Sequence, residues 1–94
     1  MIVDRDLENL LPEYLKNREE ELKLLRTALD QKNFDELRQR GHRMKGVGSP
    51  YGFDKVTMLG KLIEDNALAI DIAKLENLIS DYADFLGNLN IVYE

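Results

Sequence analysis

The chain has 94 residues, enough for one domain with its own core and too few for two. Thirteen basic against 18 acidic residues leave a net charge of −5, which disfavours general binding to nucleic acid or an anionic membrane, and the absence of cysteine excludes disulfides, thiol catalysis and thiolate metal sites. Hydrophobic residues make up 44%, ordinary for a soluble fold; no apolar run is long enough to span a bilayer, and the acidic start Met1 to Glu8 is unlike a secretory signal, so a cytoplasmic location is expected.

Met1 to Leu11 reads as an optional short leading helix, with Leu7, Leu10 and Leu11 on its apolar side and Asp4 or Asp6 as its cap. Pro12 suits the first turn of the next helix, in which Leu15, Leu22, Leu25 and Leu29 repeat at three-, four- and seven-residue steps to about Asp30. The run Glu19 to Glu21 is expected to be a solvated face of that helix. Gln31, Lys32 and Asn33 form a turn so short that the flanking helices should be antiparallel neighbours. The second helix starts near Phe34 and stops near Gly48, because Pro50 disfavours helical geometry at Ser49 and the following Tyr51 and Gly52 continue a turn.

The spacing predicts a third helix from about Phe53 to Ala69 that buries Phe53, Val56, Leu59, Ile63, Ala67 and Ile70, with Gly60 at a close helix crossing. Asp71 is a natural cap for a fourth, about Ile72 to Leu89, on which Ile72, Leu75, Ile79, Tyr82 and Leu86 form the apolar stripe. Asn90 to Glu94 extend that helix or fray. There is no strand signal, internal repeat or low-complexity segment. The expected fold is all-α, an antiparallel four-helix bundle formed by residues 1–94 as a single domain, and a monomer, because four apolar stripes satisfy one another within one bundle.

The second helix carries the only histidine. Phe34, Leu37, Met44 and Val47, with Gly41 and Gly48 between them, form one buried stripe. At about 100° per residue, His42 points roughly 125° from the centre of that stripe, toward water. Arg38, Lys45, Gly46 and Ser49 stand three, four or seven positions from His42 and share its side. Arg38, Arg40, Arg43 and Lys45 put four cations and no acid into eight residues, in a chain that elsewhere has nine basic against 18 acidic residues (13 − 4 = 9).

Each neighbour has a use if the imidazole carries a phosphoryl group. Lys45, Arg38 and Arg43 offer charge-assisted hydrogen bonds to its oxygens. Gly46 costs up to about 1 kcal/mol of helix propensity relative to alanine, and its missing side chain gives a partner's surface clearance to approach the ring. Neutral imidazole is a competent nucleophile near its ordinary pKa of about 6.5, and in-line phosphoryl transfer depends mainly on positioning and charge. Gln39, one turn before His42, is a candidate for orienting the ring. Ser49 serves either the phosphoryl group or the turn, with the turn favoured, and Gly52 reads as helix-end punctuation.

Other chemistries lack their residues. No H-E-x-x-H or calcium-loop spacing is present, no Ser-His-Asp order can be nominated, and the glycines neither follow a strand nor precede a G-K-[ST]. No resident cofactor or metal is expected. The chain has no nucleotide-binding motif, so if His42 carries a phosphoryl group it takes it from another protein, as a phosphocarrier rather than an enzyme.

The run Gly41-His42-Arg43-Met44-Lys45-Gly46, then Gly48-Ser49, Gly52-Phe53, Val56, Leu59, Gly60, Ile63 and Glu64 resembles the histidine-containing phosphotransfer (HPt) domain family. That family reads H-x-x-K-G, a small residue soon after, a glycine ten residues past the histidine, and a leucine-rich helix ending in L-E. Val56 and Ile63 replace commoner leucines, and Pro50 is less usual. The resemblance implies that His42 accepts a phosphoryl group on Nε2 from a receiver-domain aspartyl phosphate or a histidine kinase, a hybrid kinase included, and relays it to a receiver. Magnesium would then belong to the receiver, whose acidic pocket the basic spot would steer. The implied docking face combines the exposed sides of the second and third helices, with Arg38, Gln39, Arg43, Ser49 and Tyr51 as partner-binding residues and Met58 as a further apolar contact. The start at Met1 and the short length favour a free-standing module over a piece of a sensor kinase. The alternatives are a helical bundle that docks on receivers without being phosphorylated and, behind it, a dephosphorylating enzyme using Gln39 to position water.

Overall fold

The computed structural model describes residues 9–89 and the backbone of residues 2–3 and 92–93. Four helices follow in order: α1 (Leu11–Asp30), α2 (Phe34–Val47), α3 (Asp54–Leu68) and α4 (Ile72–Gly87). They form an antiparallel four-helix bundle in which α2 lies closest to α3, and α1 packs on both α2 and α4.

Local chemistry sets the boundaries. Pro12 occupies the first turn of α1, where a missing N–H costs no intrahelical bond. The Asn33 side chain accepts from the Glu36 N–H at 3.2 Å to open α2, and the Asp71 side chain accepts from the Lys74 N–H at 3.1 Å to open α4. After α2, Ser49–Tyr51 make a 3-10 turn closed by Gly52 at φ 84°, a left-handed backbone that glycine adopts without penalty.

The core draws on every helix. Leu11, Leu25, Leu37, Met44, Phe53, Val56, Leu59, Ile63, Leu75 and Tyr82 are fully buried. On α1 the stripe lies further round than the leucines suggest: Leu22 and Leu25 are buried, Leu15 and Leu29 only partly so, and Tyr14, Glu21 and Ala28, seven residues apart, fill the other flank. Glu21 is therefore not on a solvated face. It is held between helices by the Tyr82 hydroxyl, which donates to its Oε1 at 2.9 Å, and by Arg18 at 3.6 Å.

Ile70 is likewise not in the core. It follows the end of α3, and its side chain is exposed. On α2 the expected stripe holds at Leu37, Gly41, Met44 and Gly48, with Phe34 and Val47 at its half-buried edges.

Two extended dipeptides depart from the all-helical expectation. β1 (Ile2–Val3) pairs in parallel with β2 (Val92–Tyr93), Ile2 opposite Val92 and Val3 opposite Tyr93. β-Branched residues favour extended backbone, so a leading helix does not include Ile2 and Val3. Asn9 and Leu10 form a turn and Leu11 already belongs to α1. The remainder of that expected helix, with Asp4, Asp6 and Leu7, lies outside the described residues. At the other end α4 stops at Gly87 rather than reaching Leu89.

Candidate functional site

The close approach of α2 and α3 builds the site. A Cβ on Gly41 would sit 2.7 Å from the Glu64 backbone nitrogen and 2.7 Å from the Gly60 carbonyl oxygen. One on Gly60 would sit 2.5 Å from the Met44 Cβ and 2.7 Å from the Gly41 carbonyl oxygen. Only paired glycines let these two backbones meet. The contact puts Glu64 beside the residue that precedes His42.

His42 stands out from α2 with its side chain 66% exposed, while the Glu64 side chain beneath it is 15% exposed. Nδ1 of His42 lies 2.8 Å from Oε2 of Glu64. The other carboxylate oxygen, Oε1, lies 2.8 Å from Nζ of Lys45. The hydrogen bond from Lys45, with a further contribution from that of His42, outweighs partial desolvation and holds the Glu64 carboxyl below its ordinary pKa. An ionised carboxylate only accepts hydrogen bonds, so Nδ1 of the imidazole must donate. The neutral ring then has its proton on Nδ1 and its lone pair on Nε2.

Gly46 leaves open space where a Cβ would be, with nothing within 4 Å. Arg38 and Gln39 both turn to Asp35: Arg38 Nη2 lies 2.9 Å from its Oδ1, and Gln39 Nε2 donates to its Oδ2 at 3.0 Å. Neither is hydrogen-bonded to His42. Arg43 is exposed, without a hydrogen-bond or ion-pair partner among the described residues. Arg40 pairs instead with Glu36, Nε to Oε1 at 2.6 Å.

Ser49 serves the helix junction. Its N–H donates to Thr57 Oγ1 at 2.8 Å and its hydroxyl contacts the same oxygen at 3.2 Å, while the Thr57 hydroxyl donates to the Lys45 carbonyl at 3.1 Å. Tyr51 rests on Tyr14 of α1, ring centroids 4.3 Å apart, and the Tyr14 hydroxyl donates to the Val47 carbonyl at 2.6 Å. The structure thus brings His42, Lys45 and Glu64 together and sends Arg38, Gln39, Ser49 and Tyr51 to other partners.

Glu64 is the site member that residue-by-residue reading leaves without a role. It closes the motif run, but its place under the ring depends on two helices folding back across a 22-residue separation. Thr57, which ties the end of α2 to α3, likewise carries no signal in its local sequence. Among the described residues no group of three or more His, Cys, Asp or Glu side chains is arranged to hold a metal ion, and no helix is long and apolar enough to cross a membrane.

Fold and site define a small four-helix bundle that presents a single histidine from the middle of one helix. The family model for the Hpt domain matches residues 9–88, and the chain belongs to that family. Comparisons with curated proteins and with solved structures give no significant match. Membership carries a general role in histidine phosphotransfer within two-component phosphorelay signalling, in which receiver domains and histidine kinases are the typical partners of the family.

Proposed function

We propose that His42 is the phosphoacceptor, taking a phosphoryl group on Nε2 from a receiver aspartyl phosphate or a histidine kinase and passing it to a receiver. The observation that carries this reading is the Nδ1–Glu64 hydrogen bond beneath an exposed ring. It leaves the Nε2 lone pair facing solvent, where a phosphorus atom can be reached in line.

As the Nε2–P bond forms, the acyl-phosphate P–O bond breaks and its electron pair leaves on the receiver aspartate. The ring then bears a positive charge. Glu64 stabilises that charge through the Nδ1–H it already holds, and Lys45, one turn along α2, is placed to exchange part of its contact with Glu64 for the phosphoryl oxygens. Gly46 leaves clearance on the approach side. The receiver supplies the magnesium, and onward transfer is the same displacement reversed.

The test is transfer of label from a phosphorylated receiver to wild type and to His42→Gln. Acid-labile, base-stable label on the wild type and none on the variant is the expected result. Equal labelling of the two ends the phosphoacceptor reading of His42, and a wild type that takes no label from any phosphorylated receiver leaves a docking protein that is not phosphorylated.

A further inference from the structure

At the junction of α3 and α4 the backbone and the side chain make opposite demands. Ile70 lies at φ 55°. Its N–H donates to the Ala67 carbonyl at 3.2 Å and the next N–H, of Asp71, donates to the Asn66 carbonyl at 3.0 Å. This paired closure of a helix end favours glycine at the left-handed residue, and a β-branched side chain is poorly suited to that backbone. Burial does not offset the penalty, since Ile70 is 59% exposed and Leu68 is 66% exposed. A strained residue that presents an apolar side chain to water points to a contact outside the chain.

The place of this patch says which contact. Phe34, Arg38, Ala67, Leu68 and Ile70, with Asp35, line a shallow depression of about 210 Å³. Leu68 stands one turn beyond Glu64 on α3, and Arg38 one turn before His42 on α2. Because the helices run antiparallel, the depression continues the line of the imidazole and its carboxylate by about one helical turn, roughly 5 Å. A specific protein interface covers about 800 Å² on each partner, a disc of roughly 16 Å radius. Any partner centred on His42 therefore covers Leu68. A second copy of this chain seated on the patch would block the imidazole that a receiver must reach.

We propose that Phe34, Leu68 and Ile70 form the apolar part of the receiver-docking surface, seating an apolar side chain from the rim of the receiver's acidic pocket, with Arg38 at the seam between apolar and charged contacts. The inference rests on His42 being the phosphoacceptor. It extends the receiver's footprint from His42 toward the start of α2 and the end of α3. Ile70 thus trades fold stability for partner affinity.

The experiment uses the full chain as wild type, Leu68→Ser, Ile70→Gly and the control Leu24→Ser, whose leucine is exposed on α1. Transfer from each phosphorylated receiver that labels the wild type is followed against protein concentration. Partner-free labelling with phosphoramidate, melting temperature and sedimentation are measured alongside. The expected result is an increase of about tenfold in the half-saturating concentration for Leu68→Ser and Ile70→Gly, with unchanged saturating rate, unchanged phosphoramidate labelling and an unaffected control. Ile70→Gly should also melt at a higher temperature than wild type, so that stability and docking move in opposite directions. Wild-type half-saturation in both patch variants overturns the docking surface while leaving the phosphoacceptor intact. A wild-type dimer that Leu68→Ser dissociates overturns it in favour of self-association. A wild type that neither phosphoramidate nor any receiver labels at His42 overturns the phosphoacceptor reading itself, and the docking surface with it.

Discussion

Nδ1 of His42 and Oε2 of Glu64 meet at 2.8 Å across two helices, and the same carboxylate holds Lys45 through its other oxygen at 2.8 Å. One buried-edge acid therefore orients the reactive ring and positions the cation beside it. The arrangement is rigid because its three members stand on α2 and α3, the most closely apposed pair of helices in the bundle.

Removing the acid should separate orientation from nucleophilicity. Glu64→Ala is expected to slow transfer from a phosphorylated receiver by about 10- to 100-fold, by analogy with carboxylates that orient metal-ligating histidines. Glu64→Gln keeps an acceptor for Nδ1–H but loses the charge that holds Lys45, so its rate should fall between the two. Single-turnover transfer kinetics measure the rates, and nitrogen NMR of the imidazole reads the tautomer. An Nδ1–H tautomer preserved in the glutamine variant and lost in the alanine variant is the pattern expected.

The glycines should divide by what surrounds them. Gly41→Ala drives a methyl group into the backbone of Glu64 and Gly60, neither of which can yield as a side chain would. It should cost about 1–3 kcal/mol in urea unfolding and weaken transfer by moving Glu64. Gly46→Ala meets nothing within 4 Å and should gain up to about 1 kcal/mol of helix stability. The same substitution should slow transfer from a receiver while leaving phosphoramidate labelling unchanged, because only a protein partner needs the clearance.

Two glutamates give the fold opposite responses to pH. Burial pushes the Glu21 carboxyl above the ordinary glutamate value of 4.5, against the opposing pull of Arg18 and of the Tyr82 hydroxyl. The native state thus holds that proton more tightly than the unfolded chain, so ionising Glu21 reduces stability as pH rises from about 4.5 through its folded value. Glu64 has a depressed pKa, so its contribution is present above 4.5 and is lost as pH falls through its folded value. Glu21→Gln keeps an acceptor for Tyr82 and removes the titration. Relative to wild type it should gain stability between pH 4 and pH 8, as read by urea unfolding at the two pH values. Glu64→Gln should show the reverse trend.

Much of the architecture was legible because helical periodicity is local. Leu22 and Leu25, Leu37 and Met44, Val56, Leu59 and Ile63, and Leu75, Ile79, Tyr82 and Leu86 lie where three- and four-residue steps put them. Asp71 caps α4, and Gly60 marks the helix crossing. The pattern misled where a distant partner intervened and where the backbone left the helix. Glu21 looks like one member of an acidic run until Tyr82, 61 residues on, buries it. Ile70 looks like the next apolar residue of α3 until the chain turns left-handed beneath it. The pairing of Ile2 and Val3 with Val92 and Tyr93 joins opposite ends of the chain, beyond the reach of any local pattern.

By itself the sequence determined four amphipathic helices, the outward aim of His42 and the basic character of its helix, because each follows from residue spacing along one rod. Only the tertiary structure decided that Glu64 lies under the ring and that Lys45 shares its carboxylate. Those outcomes depend on how closely two helix backbones approach, and that distance is set where Gly41 meets Gly60.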